Sequence, residues 1–153
     1  MLGLLGCSAK QPKLPTYQCT QPKIIDGDSI VALCPSGETR LRLNCIDAPE
    51  LKQRHFGREA KQALASMVDE PFTVTDWGLD RYNRVLADIY VDGQSVQRQM
   101  IEQGAAVVYR HYCLDEHLLD VEQRAIEQKV GVWRERGLQQ TPWRWRQLQP
   151  PRD

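Results

Sequence analysis

Three period-two stretches, divided by Asp26-Gly27 and by Pro35-Ser-Gly-Glu38, fill residues 17 to 46. Alternation at a spacing of two sends successive side chains to opposite faces of a strand, so this stretch predicts a meander with one buried face. Asp-Gly between two such runs is a strong hairpin-turn signal. In the third run Leu41, Leu43 and Cys45 alternate with Arg40, Arg42 and Asn44, which puts Arg42 on the face opposite the leucines. Two more strands are predicted at Phe72 to Asp76 and Val85 to Val91, with Asp80-Arg-Tyr-Asn83 in the loop between them.

Helical spacing begins at about Gly57, with Ala60, Ala63, Leu64 and Met67 on one face. A short helix carries Val96, Met100 and Ile101 and stops at Gly104. A longer one runs from about Glu116 to Val130 with Leu118, Val121 and Ala125 inward, and Gly131 is its predicted cap. Five strands and three helices make an α+β chain, mainly β. The expected architecture is a five-stranded barrel of the oligonucleotide-binding (OB) type with three helices on it.

At 153 residues the chain has the length of one domain, and no apolar run approaches the ~18–20 residues of a bilayer span. Lys+Arg and Asp+Glu balance at 20 each, so an anionic polymer must be met by a local basic cluster rather than by bulk charge. The opening string Met1-Leu-Gly-Leu-Leu-Gly-Cys7 resembles the end of a bacterial lipoprotein signal, in which Cys7 is the acylated residue. It lacks a basic region and the ~15–30 residues of a full signal, which reads as a start site placed downstream of the true one. The bland alternative is an ordinary disordered N-terminus. Residues 1–16 are thus a signal remnant and tether, 17–135 the folded domain, and 136–153 a tail holding Trp143, Trp145 and Pro150-Pro151. Tail tryptophans are expected to lie on the domain as a hydrophobic clasp rather than to stack on bases.

Without Cys7 four cysteines remain, an even number that suits an oxidising, extracytoplasmic compartment such as the periplasm or cell envelope. Cys19 and Cys34 flank Asp26-Gly27 at similar distances and would face each other across paired strands, leaving Cys45 for Cys113. This is one of three pairings that four cysteines allow. His111, Cys113 and His117 are three zinc-type ligands within seven residues, but no fourth lies close by. A disulfide is the preferred role for Cys113.

The chemistry concentrates in Asp28, Asp47 and Glu50, with Arg42 and Arg84 on strands. Carboxylates without a Cys/His pattern suit Ca²⁺ or Mg²⁺. Spacing alone leaves the bland alternative open, since Asp-Gly is often just a turn and strand arginines are often solvated.

Four segments change the weighing. Ile25-Asp-Gly-Asp-Ser29, Arg42-Leu-Asn-Cys-Ile-Asp-Ala-Pro-Glu50, Phe56-Gly-Arg-Glu-Ala60 and Asp80-Arg-Tyr-Asn-Arg-Val-Leu-Ala87 resemble, in order, the signature segments of the staphylococcal-nuclease-like (thermonuclease) family. The resemblance spans about residues 20 to 133. It implies a calcium-dependent endonuclease that hydrolyses DNA and RNA phosphodiester bonds and leaves 3′-phosphate ends. It implies Asp28, Asp47 and the backbone carbonyl of Ala48 as Ca²⁺ ligands, Glu50 as the residue that activates water, and Arg42 and Arg84 as the scissile-phosphate pair. Arg81 and Tyr82 match positions that contact phosphate, and Tyr112 an aromatic that packs on a base. Ala48 and Ser29 stand where the family usually has threonine; a carbonyl ligand survives the first change and a hydroxyl the second.

The loop after Glu50 is short, and residues are missing between Tyr112 and His117 relative to the family, so substrate preference is not carried over. Rings beside cations are the general arrangement for single strands, so single-stranded DNA and RNA are the expected partners. A monomer is expected, touching a membrane only through the N-terminal lipid anchor. The rival is a non-catalytic nucleic-acid-binding module on the same barrel; the joint presence of Asp28, Arg42, Asp47, Glu50 and Arg84 argues against it. A purely structural envelope lipoprotein leaves that cluster unexplained.

Overall fold

The computed structural model describes residues 12–151, and Cys7 with its lipidation reading lies outside them. Strands β1 (Thr16–Ile24), β2 (Ser29–Cys34) and β3 (Gly37–Leu43) form an antiparallel meander. The chain then makes the two-residue strand β4 (Ile46–Asp47), helix α1 (Arg54–Met67), and the antiparallel pair β5 (Phe72–Leu79) and β6 (Val85–Val91). β5 pairs with β1, while β6 returns beside β3 in parallel, with Leu41 opposite Val85 and Leu43 opposite Ala87. That last pairing closes a five-stranded barrel, β1-β2-β3-β6-β5, and removes the free edges an open sheet would present.

The strands alternate inward and outward over most of their length, with register irregularities between Thr20 and Lys23 in β1 and between Asp76 and Leu79 in β5. Ile30, Ala32, Leu41, Leu43, Val74, Val85, Ala87 and Ile89 are all buried, and the residues between them are not. Each large aliphatic chain so buried contributes about 1.5–3 kcal/mol. After β7 (Gln94–Ser95) come helix α2 (Val96–Glu102), strand β8 (Val107–Val108) and helix α3 (Glu116–Gln128). Ser95 and Asp115 cap α2 and α3 by accepting backbone N–H bonds in their first turns. Cys19 is bonded to Cys34 across β1 and β2, and Cys45 to Cys113, with 15 and 68 residues of sequence separation. On the loop-entropy account these links are worth about 3 and about 4 kcal/mol.

The Asp26-Gly27 hairpin turn is present, and two readings change, the cap of α3 and the tail. The loop between β1 and β2 is four residues long, and Gly27 is there for space: a Cβ on it would stand 2.6 Å from the Cβ atoms of Ala48 and Ala60. Helix α3 is capped by Lys129 in the left-handed conformation (φ 53°) rather than by Gly131. Gly131 instead abuts Gly104, whose carbonyl oxygen an added Cβ would overlap. Finally, a fourth helix, α4 (Pro142–Gln147), follows two short 3₁₀ turns in the tail, with Pro142 in its first turn where a missing N–H costs nothing.

Candidate active site

Asp28 follows Gly27 immediately before β2. Its Oδ2 accepts the Ala48 backbone N–H at 2.8 Å, and its own N–H donates to Asp26 Oδ1 at 3.1 Å. Asp47 is wholly buried, 0% exposed, in β4. Its backbone is fixed from the far side: β4 pairs with β8, placing Asp47 opposite Val107, and the buried Glu122 of α3 accepts the Val108 N–H at 2.6 Å. Arg42 reaches both carboxylates from β3, with Nη2 3.4 Å from Asp28 Oδ2 and 3.7 Å from Asp47 Oδ1. The same guanidinium donates through Nη1 to the carbonyls of Leu43 and Ile46, so the backbone aims it.

Glu50 is held as a loop corner. Its N–H donates to Gln53 Oε1 and its carbonyl accepts the Gln53 N–H, at 2.9 and 2.8 Å. Helix α1 presses directly on this corner at Gly57. The Glu50 carboxylate and both Asp47 oxygens meet a residue the sequence reading passed over, Arg146 of α4. Its Nη1 lies 2.9 Å from Asp47 Oδ1 and 3.0 Å from Glu50 Oε1, and its Nη2 is 3.0 Å from Asp47 Oδ2. The only signal for it was the basic-aromatic string Trp143-Arg-Trp-Arg146, read as a clasp.

The site is short of positive charge. Four carboxyl groups, Asp26, Asp28, Asp47 and Glu50, share one corner with two guanidinium groups, Arg42 and Arg146. Burial, then the Asp28 charge, push the Asp26 carboxyl up to about 6. Burial also raises Asp47, against the pull of Arg146 and Arg42. Arg146 is held above its ordinary value: burial opposes its charge, but Asp47 and Glu50 more than offset that. No three His, Cys, Asp or Glu side chains converge on a common metal point among the described residues. The donors expected from the sequence, Asp28, Asp47 and the Ala48 carbonyl, are nevertheless all hard oxygen, and Asp47 with Glu50 already grips a cation, the Arg146 guanidinium. In donor type and charge the corner fits a divalent ion such as Ca²⁺.

Arg84 stands apart from this convergence. It pairs with Asp80, Nε to Oδ2 at 2.8 Å, and Asp80 also accepts the backbone N–H groups of Arg84 and Tyr82. Burial is the largest single influence and opposes the Asp80 charge, but those bonds and the Arg84 charge together outweigh it and keep the carboxyl below its usual range. Arg84 follows Arg42 onto one face all the same, because β6 runs parallel to β3 with Arg42 opposite Leu86. The two arginines are therefore offset by two residues, about 7 Å along neighbouring strands. The exposed Tyr82 ring lies under the guanidinium groups of both Arg81 and Arg84, at 5.0 and 5.4 Å. Tyr112 is 77% exposed and meets Tyr109 edge-on, while Trp143 stacks on Tyr109 at 5.7 Å. Because Cys113 is in a disulfide, it offers no thiolate to zinc beside His111 and His117.

A closed OB-type barrel that gathers buried carboxylates and the guanidinium groups of Arg42 and Arg146 at one corner defines a class of small β-barrel domain. Within it, residues 40–135 match the family described as "Staphylococcal nuclease homologue", and the chain belongs to the staphylococcal nuclease family. It is 38% identical over 126 residues, 81% of either chain, to an "Uncharacterized endonuclease" of Escherichia coli. It is 35% identical over 136 residues to a "Micrococcal nuclease" of Shigella flexneri, covering 81% of this chain and 77% of that one. An "Uncharacterized endonuclease" of Haemophilus influenzae is 33% identical over 129 residues, 82% of this chain and 72% of its own.

Proposed function

We propose that this protein is a calcium-dependent nuclease that hydrolyses DNA and RNA and leaves 3′-phosphate ends. The observation that carries the reading is the convergence of Asp28, Asp47, Glu50 and Arg42 on one corner of the barrel. Asp28, Asp47 and the Ala48 carbonyl would hold Ca²⁺, which supplies positive charge to the non-bridging phosphate oxygens. Glu50 accepts the proton of the attacking water, a role worth about 10²–10⁴-fold. Water oxygen bonds to phosphorus as the bond from phosphorus to the 5′ oxygen breaks, and the 5′ oxygen takes a proton from solvent. Arg42 and Arg84 bind the phosphate oxygens through guanidinium groups that stay charged throughout.

Exposed Tyr82 and Tyr112 beside Arg81 and Arg84 support single strands as the preferred form, since stacking needs unpaired bases. Two disulfides support an oxidising compartment, periplasm or cell envelope; in this reading the protein is a monomer with Cys7 as its lipid anchor. Mass analysis of the mature N-terminus tests that anchor.

The second reading, a binding module without catalysis, draws on the Arg146 bridge, which occupies Asp47 and Glu50 in the protein as it stands. One assay separates the two. Denatured DNA is incubated with the purified protein in Ca²⁺ or in chelator, beside Glu50→Gln and Arg84→Ala. Calcium-dependent cleavage lost in both variants supports the nuclease; binding with no cleavage in any divalent metal supports the module.

A further inference from the structure

We infer that Arg146 is an internal counter-cation that a metal ion must displace, so that docking of helix α4 sets the metal affinity of the site. This rests on the cation site proposed above. The guanidinium forks across both oxygens of the fully buried Asp47 and takes Glu50 as well. A planar fork on one carboxylate uses the in-plane lone pairs that a divalent cation would need. Two positive groups on the same oxygens also repel. Metal coordination by Asp47 and the Arg146 bridge therefore exclude each other, whereas Arg42 is tied to the Leu43 and Ile46 carbonyls and can stay.

The way α4 is attached makes release feasible. From Pro142 to Gln149 the backbone hydrogen bonds run within the segment or back to Thr141. Among the described residues, the hydrogen bonds of this segment to the barrel are those of Arg146 alone. Its other fastenings are the buried Pro142 and Trp143, which stacks on Tyr109, meets His111 edge-on and packs beside Phe56, Val107 and Val132. Arg144, Gln147 and Leu148 face solvent. A six-residue helix held by one arginine, Trp143 and the buried Pro142 belongs to the low-stability end of a fold, where local opening is easiest. Exclusion is reciprocal: whatever free energy docking gives to Arg146 is subtracted from metal binding, and metal loosens the helix by the same factor. Release also returns Glu50 to the water it is proposed to activate. It exposes the Tyr109 face under Trp143 in the same movement.

The test uses the full chain and Ca²⁺ itself. Calorimetric titration of wild type, Arg146→Ala and Trp143→Ala is expected to give about tenfold tighter Ca²⁺ binding for the first variant, within the usual span of site couplings. A smaller gain in the same direction is expected for Trp143→Ala, which touches no carboxylate. Amide hydrogen exchange of wild type adds an independent readout: residues 142 to 149 should exchange faster in saturating Ca²⁺ than in chelator. Should Arg146→Ala fail to fold, Trp143→Ala and the exchange measurement decide. Equal or weaker Ca²⁺ binding by the variants, or exchange in the tail that slows or stays unchanged with Ca²⁺, overturns this inference alone. No Ca²⁺ binding by any of the three proteins overturns it together with the calcium reading.

Discussion

Gly57 of helix α1 lies against the backbone of Glu50 so closely that a Cβ on the glycine would overlap the Glu50 carbonyl oxygen and stand 2.6 Å from Leu51 Cα. No L side chain fits there without moving the loop. Gly57→Ala would ordinarily gain up to about 1 kcal/mol of helix propensity. Here the backbone overlap outweighs it, as overpacking costs about 1–3 kcal/mol. The expected outcome is a net loss of stability in urea unfolding with at least a tenfold fall in cleavage, because the displaced loop carries Glu50. A Gly57→Ala variant as active and stable as wild type would show that the Glu50 corner has slack.

Arg84→Ala should separate stability from activity. Its ion pair with Asp80 is largely buried, the side chains 24% and 13% exposed, so removing the guanidinium should cost about 1–3 kcal/mol. Loss of a fixed guanidinium from a phosphate, by contrast, costs about 10²–10³-fold in rate. A Tm lowered by only a few degrees, with the protein still folded at the assay temperature and cleavage down by that factor, is the expected pair of results. A large Tm loss with cleavage scaled to the folded fraction would make Arg84 structural.

Asp26 should set a pH dependence in the metal-free protein. Burial and Asp28 raise its carboxyl from 3.8 to about 6 on folding. A raised folded pKa means that the neutral form is favoured by folding, so its stabilisation is complete below about pH 4 and is lost as pH rises through about 6. Asp26→Asn removes that titration while keeping an acceptor for the Asp28 N–H. In chelator the variant should exceed wild type by on the order of 1–3 kcal/mol at pH 8, and the difference should close below about pH 4. Chemical unfolding across that range measures it; a constant difference at all pH values would remove Asp26 as its source.

The Cys45–Cys113 link should matter to binding as well as to stability. Cys45 accepts the Tyr109 N–H at 2.8 Å through its carbonyl, and Cys113 donates its N–H to the Tyr109 carbonyl at 3.0 Å. The disulfide therefore ties down the turn that presents Tyr109 and Tyr112. Replacing both cysteines with serine is expected to cost about 2–5 kcal/mol and to weaken affinity for a denatured oligonucleotide, measured by fluorescence anisotropy below the melting temperature. Unchanged affinity in a folded variant would detach that turn from the substrate.

Most of the barrel was legible because its strands alternate. Leu41 and Leu43 against Arg40 and Arg42 fix a face and a register with no knowledge of the partner strand. The same logic located β5 and β6, and three helices by their apolar spacing. What alternation cannot carry is the parallel return of β6 to β3, which depends on contacts between residues as distant in the chain as Leu41 and Val85. Asp26-Gly27 does turn the β1–β2 hairpin, whereas the cap of α3 falls on Lys129 and not on Gly131. What local spacing does not show is the room both glycines provide, for Ala48 and Ala60 in one case and for Gly104 in the other. In the candidate site, Asp28, Arg42, Asp47 and Glu50 come together, while Arg84 keeps to Asp80. Arg146 was invisible because a lone tail arginine has no spacing to read; its place comes from how Trp143 seats the helix.

The parallel seam between β3 and β6 works as a ruler. With Leu41 against Val85 and Leu43 against Ala87, side chains of like direction line up across the seam. Slipping β6 by one residue would turn Val85 and Ala87 outward and drive Arg84 into the apolar interior, where an unpaired charge cannot stay. The greasy inner faces of two strands thus gauge the distance between Arg42 and Arg84 on the outside. Drift in the surrounding loops can alter what the cleft receives while leaving the spacing of those two arginines untouched.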